Sequence, residues 1–154
     1  MQIAAAGISG LGTPGPSLFI NGKSLDVKSA QEAVSGDHCL SFTIMPRPGS
    51  KTVISGFGFD LDRSDDRAVT SFALYADNGA GFEQVATGPL SKQFGNKNED
   101  YITYRAELDK VEFLRSVTRP LAFKLCFYGS SYEDKTPGNV RLDNVVVYGY
   151  VAGK

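Results

Sequence analysis

The only histidine of the 154-residue chain, His38, stands beside Cys39. A thiol or hydroxyl nucleophile needs a base within hydrogen-bond reach, yet the alternation over 38–45 marks a strand, in which neighbouring side chains point to opposite faces. A Cys–His dyad is therefore not expected. The sequence has no GxSxG elbow, no glycine-rich phosphate loop and no HExxH. Two distant cysteines without a CxxC, together with a single histidine, do not make a zinc site. Cys39 and Cys126 read as two buried thiols, because Cys is among the most buried residue types, with a disulfide closing a long loop as the alternative in an oxidising compartment. The remaining catalytic option is a carboxylate pair, since a glycosidase holds two acids about 5 to 10 Å apart. Asp60 and Asp62 share a strand face and Asp65-Asp66 follow, but acids at a strand end and turn ordinarily solvate the turn or bind a cation. No enzyme is expected.

Two kinds of binding chemistry remain. Asp143 lies in the otherwise apolar stretch NVRLDNVVVYGYV (139–151), and an acid there must be paired or liganded to offset its desolvation. A structural calcium, built from carboxylates and loop carbonyls, is one solution, and an ion pair with Arg141 on the same face is another. The second chemistry is sugar recognition, which uses a flat aromatic ring with polar groups beside it. Tyr75, Tyr101 and Tyr128 lie on strand faces opposite the apolar core positions. Arg105 shares the face of Tyr101, and Lys124 the face of Tyr128, so these five residues are the expected ligand surface. They point to a polar or anionic polysaccharide, because the two cations can answer a carboxylate or sulfate. The chain has no tryptophan for a crystalline-cellulose platform.

The elements that must position these groups are strands. Leu40, Phe42 and Ile44 alternate in 38–45, and Val53, Phe57, Phe59 and Leu61 in 52–61, with Gly56 and Gly58 on the opposite face, open to a neighbouring residue or a ligand. Phe72 and Leu74 mark 69–77, Ile102, Tyr104 and Ala106 mark 101–108, and Phe123, Leu125 and Phe127 mark 121–128. The final stretch is a central strand with Leu142, Asn144, Val146 and Tyr148 on one face. Asn21-Gly22 signals a hairpin after a short strand at 17–20. Asn78-Gly-Ala-Gly81 is a further turn, and 87–100 is a long polar connection suited to binding. Leu108, Val111 and Leu114 recur every three residues, predicting one or two helical turns over 109–117 with Asp109 as N-cap. Short strands at close spacing, without a βαβ rhythm, predict an all-β, two-sheet antiparallel β-sandwich, with jelly roll the first topology and an immunoglobulin-like sandwich the runner-up. Its core should include Leu40, Phe42, Phe57, Phe59, Phe72, Leu74, Phe123, Leu125, Phe127 and Val146.

The 154 residues fit one domain over 17–154, preceded by a flexible N-terminal segment over 1–16 rich in small residues, Gly and Pro. The opening MQIAAAGISGLG lacks a basic leader and reads as the scar of signal removal or of excision from a longer protein. Sixteen basic residues nearly cancel seventeen acidic ones, so nucleic acid is not an expected partner. No apolar run reaches the about 18 residues of a membrane span, so no membrane insertion is expected.

FTIMPRPGSKTVISGFGFDLDRS, SFALYADNGAGFEQVATG, RPLAFKLCFYGSS and VRLDNVVVYGYV together resemble bacterial secreted β-sandwich modules of the carbohydrate-binding, lectin-like jelly-roll type, over roughly 37 to 151. In such modules a strand like SFxLxxxxDGF precedes a long loop and an LDNVxVxG strand closes the domain. Here Asn78-Gly-Ala-Gly-Phe82 departs from the Asp-Gly-Phe version. The resemblance implies a non-catalytic carbohydrate-binding module of a secreted or cell-surface protein, beside a neighbouring catalytic domain in the full-length protein. It also implies a structural calcium, mapping onto Asp143. A structural or adhesion domain of a bacterial surface protein with no glycan ligand is the alternative.

Overall fold

The computed structural model describes residues 2–6, 18–92, 101–130 and 137–152. Among the described residues nine strands form two facing antiparallel sheets, as the alternation predicts. From edge to edge the five-stranded sheet runs β1 (Gln2–Ala6), β3 (Cys39–Ile44), β8 (Leu121–Tyr128), β5 (Ser71–Asp77) and β6 (Phe82–Pro89). The four-stranded sheet runs β2 (Leu18–Ile20), β9 (Val140–Ala152), β4 (Lys51–Arg63) and β7 (Ile102–Glu107).

Phenylalanines from both sheets meet between them. Phe42 of β3 stacks on Phe57 of β4 at 5.5 Å between ring centroids, and Phe59 of β4 meets Phe72 of β5 edge-on at 5.1 Å. Such offset and edge-to-face pairs suit the ring quadrupole and add to plain area burial. Every expected core residue is buried except Val146, which is 39% exposed.

The reason Val146 turns outward is a bulge. β4 and β9 pair Gly58 with Val146 and then Asp60 with Asp143, so β9 carries one more residue than β4 between those two pairs. Asn144 sits there at φ 47°, a left-handed conformation that Asn tolerates better than most L-residues. Its own N–H is accepted by the Asp143 carboxylate at 2.7 Å. The extra residue reverses the alternation: Val140 and Leu142 are buried before it, and Val145 and Val147 pack on the core after it. Leu142 and Val146 therefore do not share a face.

Four further segments differ from expectation. Gln2–Ala6, read as part of a loose leading segment, pairs along β3 as β1, whose edge backbone groups any extended chain can satisfy. The rest of that segment, 7–17, lies outside the described residues. Asn21-Gly22 does not close a hairpin: the Asn21 side chain accepts the Lys23 N–H at 2.9 Å and caps a 3-10 turn over Gly22–Leu25. A short helix, α1 (Ala30–Ser35), which the hydrophobic pattern does not predict, follows. Ser29 Oγ accepts the Glu32 N–H at 3.1 Å and the Glu32 carboxylate accepts the Lys28 N–H at 3.0 Å, a reciprocal cap. The helical turn expected over 109–117 is a 3-10 turn at Glu112–Arg115 that buries Leu114, with Val111 rather than Asp109 at its start.

Cys39 and Cys126 are not two thiols. They are register partners on β3 and β8, their Cα atoms are 4.3 Å apart, and they form a disulfide. With Val27, Ala33, Ala73 and Tyr75 they make a second small core beneath α1, on the outer side of the five-stranded sheet.

Candidate functional site

The five expected ligand residues divide between the two sheets. Tyr75 on β5 and Lys124 and Tyr128 on β8 belong to the five-stranded sheet, whereas Arg105 belongs to β7 of the four-stranded one and Tyr101 immediately precedes it. They do not line a common groove.

On the four-stranded sheet, the glycines decide what happens. Gly56 and Gly58 carry no side chain, and the Tyr148 ring runs along both, so that a Cβ on either would lie 3.4 Å from it. A neighbouring residue, not a ligand, fills the gap. The Arg105 guanidinium then lies 4.3 Å from the Tyr148 ring centroid and donates to Glu107 at 2.9 Å. Arg105 thus partners Tyr148 instead of Tyr101, because the bulge at Asn144 turns the residues of β9 that follow it at even numbers, Val146 and Tyr148, outward. Farther along, the Asp60 carboxylate accepts from Thr103 at 2.6 Å and from the Asn144 amide at 2.7 Å. Asp143 is the register partner of Asp60. Among the described residues no group of three or more His, Cys, Asp and Glu side chains gathers to hold a metal. A calcium needs several oxygen ligands; both Asp60 oxygens accept side-chain donors, and Asp143 Oδ1 accepts the Asn144 N–H at 2.7 Å.

The outer face of the five-stranded sheet is organised differently. Ser41, Lys124, Tyr75 and Gln84 are successive register partners across β3, β8, β5 and β6. With strands about 4.8 Å apart, this row spans ~14 Å at right angles to the strands. Tyr75 is only 7% exposed because the small core beneath α1 encloses its ring. An enclosed ring offers no open face for the stacking expected of it, and its hydroxyl donates to Gln84 Oε1 at 3.3 Å. Burial, and then the nearby Tyr128, push the Tyr75 pKa above its ordinary value, so the hydroxyl keeps its proton. The Lys124 ammonium lies 3.0 Å from the Asp37 carboxylate and 4.8 Å from the centroid of the Phe82 ring. Asp37 reaches it from the left-handed position after α1, at φ 56°. Tyr128 and Thr87 exchange a hydroxyl hydrogen bond at 3.1 Å.

The ring left open to solvent on this face is Phe82, 40% exposed at the start of β6. Phe82 and Gln84 were not expected as site residues. Nothing in the sequence tells which strand β6 joins. The long connection at 87–100, expected to bind, falls partly within β6, and 93–100 lies outside the described residues.

No protein-family model and no curated protein sequence matches the chain. Among solved structures it is similar to a xylanase, Xylanase10C from Cellvibrio japonicus in complex with xylopentaose, at a TM-score of 0.56 and 11% identity over 94% of this chain. The chain spans 26% of that protein's length. It is also similar to a xylan-binding module, CBM15, at a TM-score of 0.53 and 11% identity, covering 90% of this chain and 83% of that one. A CBM4 module is similar at 0.52 and 11% identity, covering 93% of this chain and 77% of that one. The fold is the jelly-roll β-sandwich of carbohydrate-binding modules.

Proposed function

We propose that the chain is a non-catalytic carbohydrate-binding module of a secreted or cell-surface protein, with the outer face of the five-stranded sheet as its ligand surface. The observation that carries this reading is the row Ser41–Lys124–Tyr75–Gln84, polar across four strands and bordered by the exposed Phe82 ring. Hydroxyl, amide and ammonium groups in a line can answer successive sugar hydroxyls, while an aromatic ring takes the C–H face of a pyranose. The disulfide supports an oxidising compartment. The fold neighbours include a xylan-binding module and a xylanase, which supports a xylan-type chain as first ligand and a catalytic domain as neighbour.

The ligand is polar rather than anionic. Both cations once considered for an acidic sugar already face carboxylates, Lys124 at Asp37 and Arg105 at Glu107. A second reading, a structural or adhesion domain that binds no glycan, is favoured by the exposed Val146, Tyr148, Tyr150 and Val151 of β9 on the other sheet.

Binding to soluble xylan, alginate, pectin and insoluble cellulose, measured at low and high salt, tests the proposal. Xylan binding should persist when the Debye length shrinks from about 10 Å to about 3 Å. Gln84→Ala or Phe82→Ala should weaken it about fivefold to tenfold, the worth of one good contact, whereas Tyr150→Ala on the opposite sheet should not. Salt-sensitive binding to alginate or pectin alone would overturn the polar reading. Silence on every glycan would leave the second reading.

A further inference from the structure

The polar row does not stop at the sheet edge. β6 is the last strand of its sheet, and beside it opens a cavity of about 640 Å³ lined by Gln84 of the row and also by Glu83 and Val85. Successive side chains of a strand point to opposite sides, so a cavity touching all three wraps around the edge of β6. A second cavity of about 240 Å³ adjoins the same residues, Asn78, Glu112 and Phe113 lining both. Beside the smaller one, Gly79, φ 95°, lies so close under the Arg119 guanidinium that a Cβ would collide with it. Together the cavities form a groove between the β5–β6 turn and the segment 110–121.

The chemistry of this groove matches that of the row. Phe113, Val85 and Val111 give it apolar walls, and Phe113 adds a partly open ring. Asn78 is held as a planar group: its Nδ2 donates to Glu83 at 3.0 Å and its Oδ1 accepts the Ala80 N–H at 2.8 Å. The Glu112 side chain is 91% exposed, in a loose ion pair with Arg115 at 3.6 Å. An aromatic wall beside a fixed amide and accessible carboxylate groups suits a pyranose, which offers C–H groups on one face and hydroxyl pairs on its rim.

We propose that a polysaccharide crossing the five-stranded sheet along Ser41–Lys124–Tyr75–Gln84 continues over the β6 edge into the groove walled by Phe113, which forms an additional sugar subsite. The proposal rests on the module reading above and extends it, with Gln84 as the residue common to both parts. Longer chains then gain contacts that shorter ones cannot reach.

Titration calorimetry with xylotriose through xylohexaose tests this. The affinity of the parent should rise with length, and Phe113→Ala and Glu112→Gln should remove that rise, a loss of about threefold to tenfold for the longest chain. Both variants should bind xylotriose like the parent, whereas Gln84→Ala should weaken all lengths. Phe113 touches the core, so a thermal melt must accompany that variant. Glu112 is exposed and its variant stays informative whatever happens to Phe113→Ala. A rise with length that survives in Glu112→Gln and in folded Phe113→Ala, or a parent with no rise at all, would overturn the subsite alone. A parent that binds no xylo-oligosaccharide would overturn the module reading and the subsite with it.

Discussion

Phe59→Ala should cost ~3 to 5 kcal/mol of folding stability, the range for a fully buried large aromatic replaced by a methyl group. Phe59 is 2% exposed and belongs to β4 of the four-stranded sheet. Its ring meets Phe72 edge-on at 5.1 Å and Phe127 at 5.8 Å, both from the five-stranded sheet, and stacks on Tyr104 at 5.2 Å within its own sheet. Removing the ring takes apolar surface out of its burial and leaves a void walled by aromatic rings, Phe57 at 6.1 Å among them. These are held by strands, and a strand pair cannot collapse inward without breaking its ladder. For a domain of this size the loss corresponds to a melting temperature lower by roughly 6 to 20 °C. Urea unfolding with an unchanged slope and a lower midpoint would show it, and a midpoint equal to the parent's would place Phe59 outside the core.

Removing the disulfide should have an effect at least as large. Cys39 and Cys126 are separated by 87 positions, and in the chain-entropy account a cross-link closing a loop of that length restricts the unfolded state by ~4 to 5 kcal/mol. Because both residues are fully buried, a single replacement would leave one buried thiol facing a methyl group. The double variant Cys39→Ala, Cys126→Ala is the cleaner comparison. Its urea midpoint should fall, and a reductant should lower the parent's midpoint to about the same value while leaving the variant's unchanged. Equal midpoints for parent and variant would contradict the account. Since the bridge sits beneath α1, beside Tyr75, the variant should also lose glycan affinity before it unfolds globally if α1 loosens.

Much of this architecture is legible in the alternation of apolar residues. Leu40 and Phe42, Phe57 and Phe59, Phe72 and Leu74, and Phe123, Leu125 and Phe127 each recur at period two, and all are buried. The reading fails where a local backbone event breaks the period. At Asp143-Asn144 the polar pair inside an apolar strand was the visible sign of a bulge, but it reads equally well as a ligand or ion-pair position. Only the register with β4 separates these alternatives. For α1 the sign was also present: Ser29 and Glu32 stand at capping-box spacing, with Gly36 after the last turn. Six residues are too few for a hydrophobic period to announce themselves.

The site was half legible for a related reason. Tyr75, Lys124 and Tyr128 fall on one face because β5 and β8 are hydrogen-bonded neighbours whose alternation is regular. What a single sequence withholds is the third dimension: α1 encloses Tyr75, Asp37 answers Lys124, and the open aromatic is Phe82. Arg105 was paired in the sequence with Tyr101, two strand positions before Thr103, but its ring partner comes from β9, across the bare backbone of Gly56 and Gly58. The disulfide is a matter of register as well, since nothing in the spacing of Cys39 and Cys126 tells that β3 and β8 align them.

The central claim is that a polysaccharide lies across the outer face of the five-stranded sheet. Titrating xylohexaose into an assigned amide correlation spectrum of the protein tests it directly, because each strand reports separately. The account predicts that the perturbed amides cluster at Ser41, Tyr75, Gln84 and Lys124 and at their neighbours on β3, β5, β6 and β8. Perturbations confined to β4, β7 and β9, around Arg105, Tyr148 and Tyr150, or a spectrum that does not change at all, would contradict it.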